Sequence, residues 1–388
     1  MENLKKFDTQ EDYQEWKDGD DYVYPNVCKV GDEIIYNDYP ESFWIEALED
    51  IRVWQGVATP DKESTHMSYS FDKNNWVAFT TSTDDWVIVR TGEKVYFRST
   101  YIPSTQSGIG RFYISGKCNI GGNILSLIYG DDYFTKESSF PQRYLFHCLF
   151  NSEGRLDITY NKIINAGELI LPETVGYYCY YRMFDGCKDL IMPPRLPARK
   201  LVKGCYNYMF YGCSSITKAP SLLAESHEGE FNYAYMFHSC SSLSYIKMMS
   251  VDIFNLNSRY ISTLNWVSGV SATGTFIANV NRTDFTRGVS GIPEGWDLYL
   301  YDEDNDRYVI KFKVNGIPYE YYTDEPRDVT WQEFIDSSHN TNGFKNGWDK
   351  VWFGSEYVLL NGDDVSVSNN IRLNESYTIG QPTETTEE

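Results

Sequence analysis

The chain has 388 residues, enough for roughly two to four domains, and is 41 % hydrophobic and 16 % aromatic with 32 Tyr. That composition supplies packed cores and excludes an intrinsically disordered chain. The net charge of −21 is concentrated at the ends: residues 1–50 carry 15 acidic and 4 basic side chains and residues 298–388 carry 18 and 7, against 22 and 23 between them. Acidic ends around a neutral body argue against nucleic acid as a partner, because phosphate contacts need Lys and Arg.

In chain order, residues 1–50 read as a small acidic module. Asp8 or Thr9 caps a short helix running through Trp16 and ended by Gly19. The stretches 25–30 and 33–37 read as a hairpin around Gly31-Asp32. The opening residues contain no apolar signal core, and no run of about 18 apolar residues occurs, which predicts neither a secretory signal nor a membrane span and places assembly in a cytoplasm.

Residues 51–144 read as a small β-sandwich. Runs rich in β-formers, Trp86–Val89 and Val95–Phe97, alternate with turn-formers at 72–75 and 91–94. Gly121-Gly122 reads as a turn and not a phosphate loop, since no Lys-Ser/Thr follows.

Residues 145–297 contain an internal repeat. The segments CYYRMFDGCKDL (179–190), CYNYMFYGCSSI (205–216) and NYAYMFHSCSSL (232–243) align at spacings of 26 and 27. Periods of about 20 to 29 belong to solenoids in which each turn offers one short strand and one helical or irregular segment. The strand is expected around Leu190, Ile216 and Leu243. Stacked turns should bring Phe184, Phe210 and Phe237 into one internal ladder, Cys187, Cys213 and Cys240 into a second, and Cys179 and Cys205 into a third that Asn232 interrupts. Leu149–Ser152 and Trp266–Gly269 read as worn terminal repeats that cap the array.

Residues 298–388 read as a small β-rich domain with an acidic tail. The strand Tyr308–Val314 runs into a hairpin at Asn315-Gly316. Thr330 and Glu333 form the capping box of a short helix, and strands follow at 350–353, 357–360 and 377–379. The whole is expected to be mainly β with short helices, an α+β chain of four parts bounded at 1–50, 51–144, 145–297 and 298–388.

Candidate chemistry is sparse. Six of the eight cysteines lie between Cys148 and Cys240, mostly at repeat-matched positions, and are read as reduced core residues in preference to disulfides or metal ligands. The five histidines, at 66, 147, 227, 238 and 339, lack metal-ligand spacing. Asp302, Asp304 and Asp306 alternate as in a calcium loop, but the twelfth position is Lys313 and the sixth is not Gly. Carboxylates are plentiful enough for a glycosidase pair, yet nothing singles one out. No catalytic, cofactor or metal residue is assigned, and no enzyme is expected. The repeat's variable positions, Asp185, Tyr211 and His238, with Tyr181 and Tyr208, are the candidate surface contacts; the competing reading packs these side chains between turns.

The blocks CYYRMFDGC and CYNYMFYGCSSITKAP resemble the BspA-type leucine-rich repeats of Bacteroidetes surface proteins. YSFDKNNWVAF and TGEKVYFRS upstream, and SGVSATGTF and GIPEGW downstream, resemble the segments flanking such repeats. TWQEFIDSSHNTNGF resembles a module near the C-terminus of such proteins and of phage proteins. FDTQEDYQEW, YPNVCKV and IIYND resemble the N-terminal segment of structural proteins of phages of these bacteria, including crAss-like phages. The resemblance implies a virion protein assembled in the host cytoplasm: a head fibre, capsid decoration or tail fibre. It implies a homo-oligomer, a trimer by analogy, attached to capsid or tail proteins through its N-terminal module and facing a host glycan or surface protein. The alternatives are a bacterial cell-surface adhesin, against which the absent export signal counts, and a polysaccharide depolymerase.

Overall fold

The computed structural model describes residues 41–56, 67–79, 86–102, 108–135, 143–152, 161–251, 262–314, 317–330, 333–334 and 337, with the backbone of seven further short strands near the ends. The described structure is mostly β, and the chain divides into two compact units, 1–274 with 283–296, and 275–282 with 297–388.

In the first unit, Val27–Val30 and Glu33–Tyr36 pair antiparallel as in the expected hairpin, with Val30 opposite Glu33, and Lys5–Phe7 pairs parallel to the first of them. The expected helix through Trp16 lies outside the described residues.

Next come two sheets. One has the order Lys162–Ile170, Lys117–Asn123, Trp44–Ala47, Lys94–Ser99, Met67–Ser70, Val77–Ala78; the other has Arg111–Ile114, Ile51–Gly56, Val87–Val89. Alternation turns Phe97 and Phe112 into one core, their rings 5.1 Å apart and edge to face. Two expectations need correction here. The boundary at residue 50 cuts through this structure, because Trp44–Ala47 is a central strand between Lys117–Asn123 and Lys94–Ser99. Gly121-Gly122 is not a turn but part of a strand; the Trp44 ring lies where a Cβ on Gly121 would be, 2.2 Å away, so glycine is needed for this close approach.

The repeats form successive coils at 143–152, 177–187, 203–213, 230–240 and 262–269. Their backbone is neither helix nor strand. A left-handed residue recurs every fourth position: Tyr178, Arg182 and Gly186; Gly204, Tyr208 and Gly212; Phe231, Tyr235 and Ser239. Between them, alternate N–H groups divide the work. Tyr181 and Met183 donate to the carbonyl three residues back, while Tyr180, Arg182 and Phe184 donate to Cys205, Asn207 and Met209 of the next coil at 2.9 to 3.1 Å. Every non-glycine residue held left-handed costs about 1–2 kcal/mol. The arrangement therefore relies on the inter-coil bonds and on stacking, and a coil is stable only beside its neighbours.

The two worn repeats join this ladder in the expected register. The Phe150 N–H donates to the Met183 carbonyl at 2.9 Å, and Phe237 donates to Trp266 at 2.8 Å. The segment 283–296 closes the last coil: Trp266 Nε1 donates to the Gly291 carbonyl at 2.8 Å, and Trp296 Nε1 to Ser271 at 2.8 Å. Leu190, Ile216 and Leu243 are buried, but around the first two the expected strand is reduced to single bridges at Met192 and Lys218, a regular strand appearing only at Tyr245–Met248.

In the second unit, Asp297–Asp302 lies between Thr275–Asn279 (parallel) and Arg307–Val314 (antiparallel). Thr275–Asn279, expected within the repeat region, belongs here because Asp297–Asp302 is its partner. Arg307–Val314 forms the expected hairpin with Ile317–Thr323. The capping box is present in both directions: Thr330 N–H donates to Glu333 Oε2 at 2.8 Å, and Glu333 N–H to Thr330 Oγ1 at 3.2 Å. Phe312, Tyr319 and Phe334 make the core, with centroids 5.0 to 5.8 Å apart. The strands Lys350–Phe353, Glu356–Leu359 and Ser376–Ile379 fall within a residue of their expected places.

Candidate functional site

The coil pitch lines up equivalent side chains in columns, and burial sorts the columns by role. Phe150, Phe184, Phe210 and Phe237 stack at 5.4, 5.5 and 5.7 Å with no exposed surface. Phe43 and Phe112 meet Phe150 at one end and Trp266 meets Phe237 at the other, so one aromatic spine joins the sheets to the last coil. A second column, Phe146, Tyr180, Tyr206 and Tyr233, is also buried.

The cysteines complete the interior. Cys187, Cys213 and Cys240 are buried, and their thiols donate to the carbonyls of Phe150, Phe184 and Phe210 in the preceding coil at 3.1, 3.1 and 3.0 Å. Burial pushes Cys179 and Cys205 up to about 12 and raises Cys187, Cys213 and Cys240 as well, so none is a thiolate near neutral pH. Where Asn232 replaces the cysteine of the third ladder, its amide donates to the Val202 carbonyl at 2.8 Å and its oxygen accepts from Ser262 Oγ at 2.8 Å.

Along the outside runs a half-exposed aromatic ribbon. Tyr144 stacks on Tyr178 (5.0 Å), Tyr208 on Tyr235 (4.5 Å) and Tyr211 on His238 (4.8 Å), while Tyr181 meets Tyr178 and Tyr208 edge to face at 6.0 Å. The Arg182 guanidinium lies 4.6 Å over the Tyr208 ring and donates to Tyr181 Oη at 3.0 Å. Because the ring faces cover one another, the ribbon shows edges and hydroxyls more than open faces. Burial raises Tyr178 and Tyr208 and lowers His238, which keeps phenols protonated and favours the neutral imidazole.

Of the sequence-derived contact residues, Tyr181, Tyr208, Tyr211 and His238 are brought together on this ribbon, both packed between coils and partly open to solvent. Asp185 is a correction. It is fully buried, and its carboxylate accepts from Arg182 at 2.8 Å and from the Asn151 amide at 3.4 Å. An acid in the repeat's variable position was tolerated inside because Arg182, three residues back, reaches over to pair with it. Sequence reasoning missed Arg182, Tyr178 and Tyr235. Gly186, four residues after Arg182 and eight after Tyr178, stands in the same left-handed series as those two, whereas Tyr235 is flanked in its series by Phe231 and Ser239 and has no such marker.

Asp302 and Asp306 bind within their own turn. Asp302 accepts from the Asp304 N–H at 3.1 Å and the Asn305 amide at 2.8 Å, and Asp306 accepts from the Tyr301 hydroxyl. Among the described residues no cluster of three His, Cys, Asp or Glu is placed to hold a metal ion, and no helix is long and apolar enough to cross a membrane. Compared with protein-family models, with curated proteins and with solved structures, the chain matches none.

Proposed function

We propose that this chain is a non-enzymatic virion protein of a Bacteroidetes phage, a head fibre, capsid decoration or tail fibre, whose BspA-type leucine-rich-repeat solenoid holds a rigid aromatic surface toward the host. The observation that carries this reading is the inter-coil hydrogen-bond ladder with the ribbon Tyr144–Tyr178–Tyr181–Tyr208–Tyr211–His238 on its outside. Rings already held by stacking lose little freedom on binding, so such a surface recognises a partner at low ordering cost. The buried, protonated cysteines support a structural role for that conspicuous set of residues. The acidic N-terminal module, with its small sheet, is the proposed attachment to capsid or tail proteins, and the particle-bound form is a homo-oligomer, a trimer in this proposal.

The test is mass spectrometry of gradient-purified particles. A fixed copy number per particle is expected, and deleting residues 1–40 should abolish attachment while leaving the coil region folded. Absence of the protein from intact particles removes the reading.

A further inference from the structure

We propose that the groove beside the coils at 143–152 and 177–187 is a binding site for a neutral hexopyranose unit of a larger glycan; this rests on the reading of the chain as a surface-binding protein. The groove is open to solvent on one side, has a volume of ≈ 520 Å³ and is lined by Arg143, Tyr144, Tyr177, Tyr178, Lys203 and Glu228. Small-molecule sites span roughly 300–1,000 Å³.

Two glycines fix how the lining packs. The column of Tyr144 and Tyr178 continues at Gly204, φ +64°, where a Cβ would fall 2.2 Å from the Tyr178 ring. Gly229, φ +81°, likewise has no room for a Cβ beside Lys203. The Tyr178 ring thus lies directly on Gly204, and Lys203 lies against Gly229, so two glycines let these groove-lining side chains pack on backbone. The walls are pre-ordered: the N–H groups of Tyr144, Tyr178 and Gly204 donate to the carbonyls of Tyr177, Lys203 and Glu230 at 3.0, 3.0 and 2.9 Å.

The chemistry of the lining selects the ligand. Arg143 lies 5.2 Å over the Tyr177 ring, and among the described residues neither Arg143 nor Glu228 forms an ion pair. Lys203 is already paired with Glu230 at 2.8 Å. The groove therefore offers one planar fork of N–H donors, one carboxylate acceptor, phenol hydroxyls that both donate and accept, and the aromatic side chain of Tyr177, an exposed residue with Arg143 over one side of its ring. A phosphate or polyanion would need several unpaired cations and would be repelled by Glu228. An aliphatic ligand would strand the charged groups. A sugar ring matches, since its C–H face packs on an aromatic ring and its adjacent hydroxyls need donors and acceptors together.

The experiment is saturation-transfer NMR on the full-length protein with the methyl glycosides of glucose, galactose, mannose and N-acetylglucosamine as probes, and glucuronate as an acidic arm. Transfer to at least one neutral glycoside is expected, at about millimolar affinity. Tyr177→Ala, Arg143→Ala and Glu228→Gln should each weaken it at least about fivefold, and Ile88→Ala, at an exposed position on the strand Val87–Val89, should leave it unchanged. These three side chains are exposed, and unchanged thermal unfolding will show that the variants fold. No transfer to any neutral glycoside, transfer that survives all three substitutions, or transfer to glucuronate alone overturns the proposal. Sugar binding is read on purified protein and particle attachment on virions, so either reading can fail without the other.

Discussion

Phe184, Phe210 and Phe237 run through the coils at 5.5 and 5.7 Å with no exposed surface, whereas Tyr208, Tyr211, Tyr235 and His238 stack along the outside at 4.5 and 4.8 Å and stay half-exposed. Both sets take their pitch from the same backbone ladder, so ring spacing does not distinguish them. Water does. The inner column contributes the full transfer energy of buried rings, about 2–3 kcal/mol each, and stabilises the stack. The outer ribbon keeps its hydroxyl edges wet and leaves that energy available to a partner.

Substitutions should separate the two columns, beginning with the interior. Phe210→Ala removes the ring between Phe184 and Phe237 and should cost about 3–5 kcal/mol in denaturant unfolding. A loss under about 1 kcal/mol would mean that the spine does not hold the coils together. Arg182→Ala links the columns, because it uncovers a ribbon ring and removes the ion-pair partner of buried Asp185; about 2–3 kcal/mol is expected. The double variant Arg182→Ala with Asp185→Asn should recover part of that loss, and no recovery would show that the pair is not the cause.

Alkaline pH bears on both sets, since Tyr178 and Tyr208 are raised as well, but it falls first on the buried thiols, whose unfolded-state pKa is lower than a phenol's. Burial raises the Cys179 and Cys205 thiols from 9.0 to about 12, so the folded state keeps protons that the unfolded chain releases. Their contribution is complete below about pH 9 and is lost as pH rises toward 12, by about 1 kcal/mol per thiol at pH 10. The denaturation midpoint should fall steadily above pH 9, and a Cys179→Ala, Cys205→Ala variant should show a shallower fall. The smallest effect belongs to the ribbon: Tyr211→Ala should cost less than about 1 kcal/mol, since the ring is half-exposed and loses mainly its stacking on His238. A cost comparable to Phe210→Ala would erase the distinction between the columns.

Much of this was legible in the chain. The Met-Phe spacings placed Phe184, Phe210 and Phe237 in one column, the degenerate ends LFNS and WVSG fell into register, and Asn315-Gly316 and the Thr330–Glu333 box stand where local chemistry put them. Elsewhere local reading failed for identifiable reasons. Gly121-Gly122 looks like a turn until Trp44, 77 residues away in the chain, is seen to lie against it. Asp185 looks exposed until the pairing with Arg182 is known. Tyr178, Arg182 and Tyr208 give no local hint of left-handed backbone, because their own preferences oppose it.

The sequence alone determined the repeat, its register and which rings are equivalent, because equivalence is a matter of spacing. Only the tertiary structure decided which columns face water, how the coil backbone runs, and which side chains border the groove. Those depend on hydrogen bonds between residues some 26 positions apart, and a residue's local preference carries no information about a partner at that distance.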